Sequence, residues 1–292
     1  MPSPSNHSRP PGKLTLAFFK CDSLAKESIE EHGEYQDVVH NLFDPLLPDH
    51  LHLEILTYDV LNKREYPKDN ELDKIDAIIV SGSFEDEAHS DSIWILKLAG
   101  YLIKIFDEYP RIRLLGICFG LQVIARAFGP CQIKENPKGC TKIELTDIGK
   151  RLIWSEENDP ESDTSRLKNS VTMQQIHSDI VTEVPDDFHL LGKSELTPVQ
   201  GIVHFYADDK QPPAFTHSEE DTLPGDPWSR VHIIAFQGHP EWHEDIIIPF
   251  IDNYEKEGTY DAELANKARK QTKLPHDGAR VGKVLLKVLG VA

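Results

Sequence analysis

An apolar strand that runs into a glycine-flanked turn and straight on into a helix leaves a chain few ways to fold, and residues 113–128 spell out that pattern. Arg113-Leu-Leu-Gly-Ile117 reads as a buried strand and Leu121 to Phe128 as a helix ended by Gly129-Pro130. Cys118-Phe-Gly120 joins them with no loop residues to spare, and the glycines on either side suit a turn where side chains would strike the neighbouring strand and helix. The residues before this unit repeat its alternation. Leu14 to Phe19 and Leu51 to Tyr58 read as strands, with a helix over Tyr35 to Leu47 between them that is stopped by prolines. Ile75 to Val80 is a β-branched run closed by Ser81-Gly82-Ser83, and Ser92 to Tyr109 has helical spacing through Ile95, Leu98, Leu102, Ile105 and Phe106. Strand and helix alternating at this spacing predict an α/β fold with a parallel sheet.

The second half is less regular. Lys142 to Thr146, Gln200 to Tyr206 and Val231 to Gln237 are expected strands, and Glu244 to Glu257 and Ala262 to Gln271 expected helices. Val281, Val284, Leu285, Val288 and Leu289 mark a last amphipathic helix that packs back on the body. The expected organisation is a disordered tail over 1–12, one domain over 13–257 with polar insertions about 155–170 and 208–229, and a helical extension over 258–292. Glu156, Glu157, Asp159, Glu161 and Asp163 make the first insertion acidic, as a solvated loop would be. Across 292 residues, 49 Asp and Glu against 31 Lys and Arg leave a formal charge of −18. That balance speaks against an unaided nucleic-acid binder and against anionic membrane surfaces. No apolar run reaches the ~20 residues of a membrane span, no secretory h-region is present, and four scattered cysteines make no disulfide scaffold. A cytoplasmic location, extending to the nucleus, is the expectation.

Chemistry concentrates at two places. Placing Cys118 at the start of a helix aligns its sulfur with the positive end of the helix dipole, which favours thiolate. The amide of Phe119 would then face an oxyanion formed on an attacked carbonyl. A structural cysteine in a tight turn is the competing account. The second place is Gly238-His239-Pro240-Glu241, delivered by the apolar strand Val231 to Phe236. Parallel strands that end together put both segments at one sheet edge. His239 could take and return the cysteine proton, and Glu241 could hold the far imidazole nitrogen. A surface-turn histidine is the plain alternative. Cys21, at the end of the first strand, reads as inert packing, and Cys131 and Cys140 lack metal-ligand spacing.

Gly116-Ile-Cys-Phe-Gly-Leu-Gln122 together with Gly238-His-Pro-Glu241 resembles the class I, triad-type glutamine amidotransferase family, over roughly Leu14 to Phe250. The resemblance implies a flavodoxin-like three-layer α/β sandwich with a mostly parallel central sheet. It implies catalytic Cys118, His239 and Glu241 that cleave a γ-glutamyl amide through a thioester, with neither metal nor organic cofactor. It also implies an oxyanion hole from the amides of Ser83 and Phe119, Ser83 standing where the family often has glycine. Gly82, Gln122, His177, Ser178 and Asp179 match the positions that hold the substrate.

Three functions follow from that resemblance. The first is a hydrolase acting alone on a small γ-glutamyl amide, either glutamine or a γ-glutamyl peptide or conjugate, and releasing glutamate with ammonia or an amine. Ser81-Gly-Ser-Phe-Glu-Asp86 and Asp91-Ser-Ile-Trp94 resemble the γ-glutamyl peptidase-like branch. The second is a glutaminase subunit that passes ammonia to a separate synthase. The third is a non-catalytic binding or regulatory protein on the same scaffold.

Overall fold

In the first strand, side chains alternate between two apolar environments rather than between core and water. Leu14, Leu16 and Phe18 join one buried cluster, while Ala17 and Phe19 join the other. A strand buried on both faces needs a layer of helices on each side, which is the three-layer arrangement observed. The structure is a computed structural model, and it describes residues 12–84, 86–129, 133–135, 141–155, 164–177, 179–207 and 226–291. The expected tail over 1–12, save Gly12, lies outside the described residues, as do 156–163 of the first insertion and 208–225 of the second.

The elements in chain order are β1 (Lys13–Lys20), α1 (Lys26–His32), α2 (Tyr35–Phe43), β2 (His52–Asp59), α3 (Asp69–Leu72), β3 (Ala77–Val80), α4 (Ile93–Glu108), β4 (Arg113–Ile117) and α5 (Phe119–Phe128). Then come β5 (Ile133–Glu135), β6 (Thr141–Leu145), α6 (Asp147–Trp154), β7 (Ser170–Met173), β8 (Asp179–Val181), β9 (Phe188–Lys193), β10 (Gly201–Phe205), β11 (Val231–Phe236), α7 (Glu244–Lys256), α8 (Ala262–Thr272) and α9 (Gly278–Val288). The main sheet runs β2-β1-β3-β4-β11-β10-β9-β6-β7. Its first five strands pair in parallel in the flavodoxin-like order, and from β11 to β7 the pairing is antiparallel. Helices α4 and α5 cover one face through Ile95, Leu98, Leu102, Leu121 and Ile124, and α2, α6, α7 and α9 cover the other.

Several boundaries move for identifiable reasons. The helix expected to run to Leu47 stops at Phe43 and continues as a 3-10 turn over Asp44–Leu46, because Pro45 has no amide to donate. The helix expected from Leu121 starts at Phe119, directly after Cys118. Helix α6, not anticipated, is started by the Thr146 hydroxyl, which accepts from the Gly149 amide at 3.1 Å. The five apolar residues that mark α9 are all buried. Asp277, just before α9, donates its amide to Thr172 O at 2.7 Å and accepts from the Thr172 amide at 2.9 Å, which covers the edge strand β7.

Candidate active site

The turn between β4 and α5 is forced by close packing. A Cβ at Gly116 would lie 2.8 Å from the Gly120 carbonyl carbon and 2.9 Å from Ala235 Cβ, and one at Gly120 would collide with the Val80 carbonyl oxygen. With both flanks fixed, Cys118 takes φ 54° and ψ −106°, a conformation that costs a non-glycine residue on the order of 1–3 kcal/mol. Its amide donates to Phe236 O at 2.8 Å. The sulfur thus stands at the N-terminus of α5, where Phe119, as first helical residue, has no intrahelical acceptor for its amide.

The neighbouring strand brings the histidine. Phe236 of β11 pairs in register with Ile117 of β4, so Gln237 and Cys118 leave the sheet side by side. Two residues on, the His239 amide donates to Gln174 O at 2.8 Å, which anchors the segment to the chain leaving β7. His239 Nδ1 meets Glu241 Oε1 at 2.8 Å, and both side chains are fully buried. The same oxygen accepts from the Tyr35 hydroxyl at 3.0 Å, and that hydroxyl accepts from the Gly82 amide at 3.3 Å. Trp242 stacks flat on the imidazole, with centroids 3.6 Å apart and planes at 10°. Burial alone would lower the His239 pKa, but the charges of Glu241 and Cys118 outweigh it and raise the value to about 9. Gly82 packs against both candidate groups, since a Cβ there would sit 3.0 Å from His239 Cε1 and 3.6 Å from Cys118 Cβ. A polar relay reaches the sulfur from the other side. Gln122 Nε2 donates to Gln237 Oε1 at 3.3 Å, and Gln237 Nε2 donates to Cys118 Sγ at 3.7 Å.

Cys118 opens onto a cavity of about 480 Å³ that is also lined by Ser83, Gln122, His177, Asp179, Phe84 and Tyr254. Four of the expected oxyanion and substrate positions are therefore gathered around the sulfur, and Ser178 lies outside the described residues. Gln122 and His177 also hold the protein's own groups. Gln122 Nε2 also donates to Asp179 O at 2.9 Å. His177 has Asp179 O at 2.8 Å from Nδ1 and Gln175 Oε1 at 2.7 Å from Nε2, so its imidazole braces the cavity wall. Gly82 gives its amide to the Tyr35 hydroxyl. The loop after β3 is held by the Phe84 amide, which donates to Asp22 Oδ2 at 2.5 Å. Asp86 and Glu87 also line the cavity, and among its described lining residues there is no lysine or arginine.

Tyr35, Gln237 and Trp242 were not singled out by sequence reasoning. Gln237 and Trp242 flank the Gly-His-Pro-Glu motif, and their neighbourhood was the only signal. Tyr35 lies 206 positions from Glu241 and becomes its partner only through the fold.

Such a strand-cysteine-helix turn, beside a histidine–carboxylate pair on a flavodoxin-like sheet, defines a class that comparison with known proteins identifies. The family model of class I glutamine amidotransferases matches residues 34–211, more than half of the chain, and the chain belongs to that family. The match includes Cys118 and ends before His239. A glutamine amidotransferase-like protein of Schizosaccharomyces pombe is 27% identical over 282 residues, covering 94% of this chain and 98% of the relative. Gamma-glutamyl peptidase 4 of Arabidopsis thaliana is 30% identical over 217 residues, covering 73% of this chain and 71% of the relative. In fold, a glutamine amidotransferase of Thermotoga maritima superposes with a TM-score of 0.60 at 14% identity, covering 94% of this chain and 98% of that one. No helix among the described residues is long and apolar enough to cross a membrane.

Proposed function

We propose that this chain hydrolyses γ-glutamyl amide bonds, with Cys118 as nucleophile, and that its substrates are small γ-glutamyl peptides or conjugates. Family membership and the γ-glutamyl peptidase relatives support amide hydrolysis as the reaction class. The observation that carries the finer reading is the position of Cys118: on a strained turn at a helix N-terminus, beside His239–Glu241, and open to a cavity.

In this mechanism the Cys118 sulfur attacks the γ-carbonyl carbon, and the oxyanion is met by the amides of Phe119 and Ser83. His239, protonated through neutral pH, gives its proton to the leaving amine as the C–N bond breaks, which leaves a γ-glutamyl thioester. The neutral imidazole then takes a proton from water, hydroxide adds to the thioester, and glutamate leaves as the cysteine is regenerated. Glu241 holds the Nδ1 proton throughout, and Tyr35 holds Glu241. Asp86, Glu87 and Asp179 suit the ammonium end of a γ-glutamyl group, while Phe84 and Tyr254 offer apolar surface to whatever the γ-amide carries. A cavity of about 480 Å³ leaves room beyond glutamine itself for such a substituent.

Glutamate release from a panel of γ-glutamyl donors tests this reading. Turnover of glutathione or other γ-glutamyl peptides above that of glutamine supports it. Activity on glutamine that appears only with an added synthase selects the ammonia-supplying subunit instead. Inertness toward every γ-glutamyl donor removes the enzyme reading.

A further inference from the structure

A second polar cluster sits on the Glu241 side of the candidate triad, where the end of α1 meets the start of α7. His32 is the last residue of α1, His243 caps α7, and Asp245 lies in the first turn of α7. One donor atom from each of the three lies within 4.8 Å of the other two. The imidazoles of His32 and His243 have centroids 5.4 Å apart and planes at 61°. Two imidazoles on one tetrahedral zinc, each bound at about 2.05 Å with its centroid about 1.1 Å further out, would have centroids about 5.2 Å apart. The ring separation thus matches that of a shared metal, and the donor atoms, within 4.8 Å of one another, would draw together on binding. His32 Nε2 is buried without a hydrogen-bond partner, and the carboxylate of Glu31 is 3.9 Å away, too far to supply one. His32 and His243 also line a cavity of about 200 Å³ together with His276, Glu241 and Trp242.

We propose that His32, His243 and Asp245 form a binding site for a borderline divalent transition metal of the Zn²⁺ type, with water completing the coordination. Two imidazoles and one carboxylate are a donor set for zinc and its neighbours rather than for magnesium or calcium, which take oxygen ligands. No bond to the substrate is involved, and the metal site does not rest on the reaction proposed above. Its place in the chain gives it a consequence. His32 lies three residues before Tyr35, and His243 two residues after Glu241, so a bound metal would clamp together the two segments joined by the Tyr35–Glu241 hydrogen bond. Binding would stabilise the fold and stiffen the support of His239 without entering the cavity that Cys118 faces.

The test uses the full chain carrying Cys118→Ser, so that a reactive thiolate does not compete for metal. Zn²⁺ is titrated against a chromophoric chelator. The expected result is one site with a dissociation constant of about 10 µM or tighter. His243→Ala and Asp245→Asn, both at exposed positions, should each weaken it at least ~10-fold, whereas His40→Ala, on α2 and outside this cavity, should leave it unchanged. Stoichiometric Zn²⁺ should raise Tm, a chelator should reverse the rise, and His243→Ala should remove it. Equal Zn²⁺ affinity in the parent and in both substituted proteins would overturn the proposal, because the metal would then be bound adventitiously elsewhere. A parent with no site tighter than about 100 µM would overturn it as well.

Discussion

β1 and β4 lie two strands apart in the parallel part of the main sheet, and each delivers a buried cysteine at its carboxyl end. Cys21 follows β1 in ordinary backbone. Its amide donates to Ser81 Oγ at 2.9 Å, its thiol donates to Phe19 O at 3.5 Å, and the next helix does not begin until Lys26. Burial pushes the Cys21 thiol far up, and the charges of Asp22 and Asp59 add to this, while hydrogen bonding with Ser81 opposes it. Cys118 follows β4 in a left-handed turn, with α5 starting at the next residue, Gln237 donating to its sulfur and His239 acting on it electrostatically. Burial and strand position are common to both cysteines. What differs is the tight turn, the helix end and the paired histidine, and those are the features that make a thiol useful as a nucleophile.

The largest effect should come from exchanging the two. Cys118→Ala should lower glutamate release by ~10⁴-fold or more, and Cys21→Ser should retain activity within a few-fold once it is folded. Loss of activity in both, with both folded by circular dichroism, would break the contrast. The pH profile comes next. Because the His239 pKa is raised from an ordinary 6.5 to about 9, the imidazolium is held through neutral pH. The stability it contributes is therefore complete below about 6.5 and is lost as pH rises through about 9. The rate kcat/KM should fall about tenfold per pH unit above that upper value, as the proton for the leaving group is lost. An alkaline limb that is unchanged in Glu241→Gln would contradict the assignment. Tyr35→Phe removes a donor to Glu241 and leaves the buried Gly82 amide without its acceptor, so it should cost about 1–3 kcal/mol of stability and roughly tenfold in kcat. The smallest effect is expected from His177→Asn, within a few-fold in kcat and mostly in KM, because both ring nitrogens already serve the cavity wall.

The same contrast explains how much could be read from the sequence. β1, β3, β4 and their helices were legible because both faces of those strands are buried, which writes apolar runs into the chain. β7, β9 and α6 were not, because short strands in the antiparallel half and a helix started by Thr146 owe their existence to neighbours. Cys118, His239 and Glu241 stood out through the glycines and proline around them, and backbone crowding is local. Tyr35 and Gln237 carry no such mark, since each is made relevant by a contact that closes only in three dimensions. His177 lines the cavity its segment suggested, and both of its ring nitrogens are also hydrogen-bonded within the wall. The charge of −18 finds a local echo in Asp86, Glu87 and Asp179 around the cavity.

The central claim is that Cys118 alone among the cysteines is poised to attack a γ-glutamyl carbonyl. The direct measurement is peptide mapping by mass spectrometry after brief treatment with a γ-glutamyl chloroketone, with glutamate-containing substrate as competitor. The account predicts a single adduct on Cys118 that substrate suppresses and that His239→Ala slows. Even labelling of Cys118, Cys21, Cys131 and Cys140, or an adduct on Cys118 that substrate does not suppress, would contradict it.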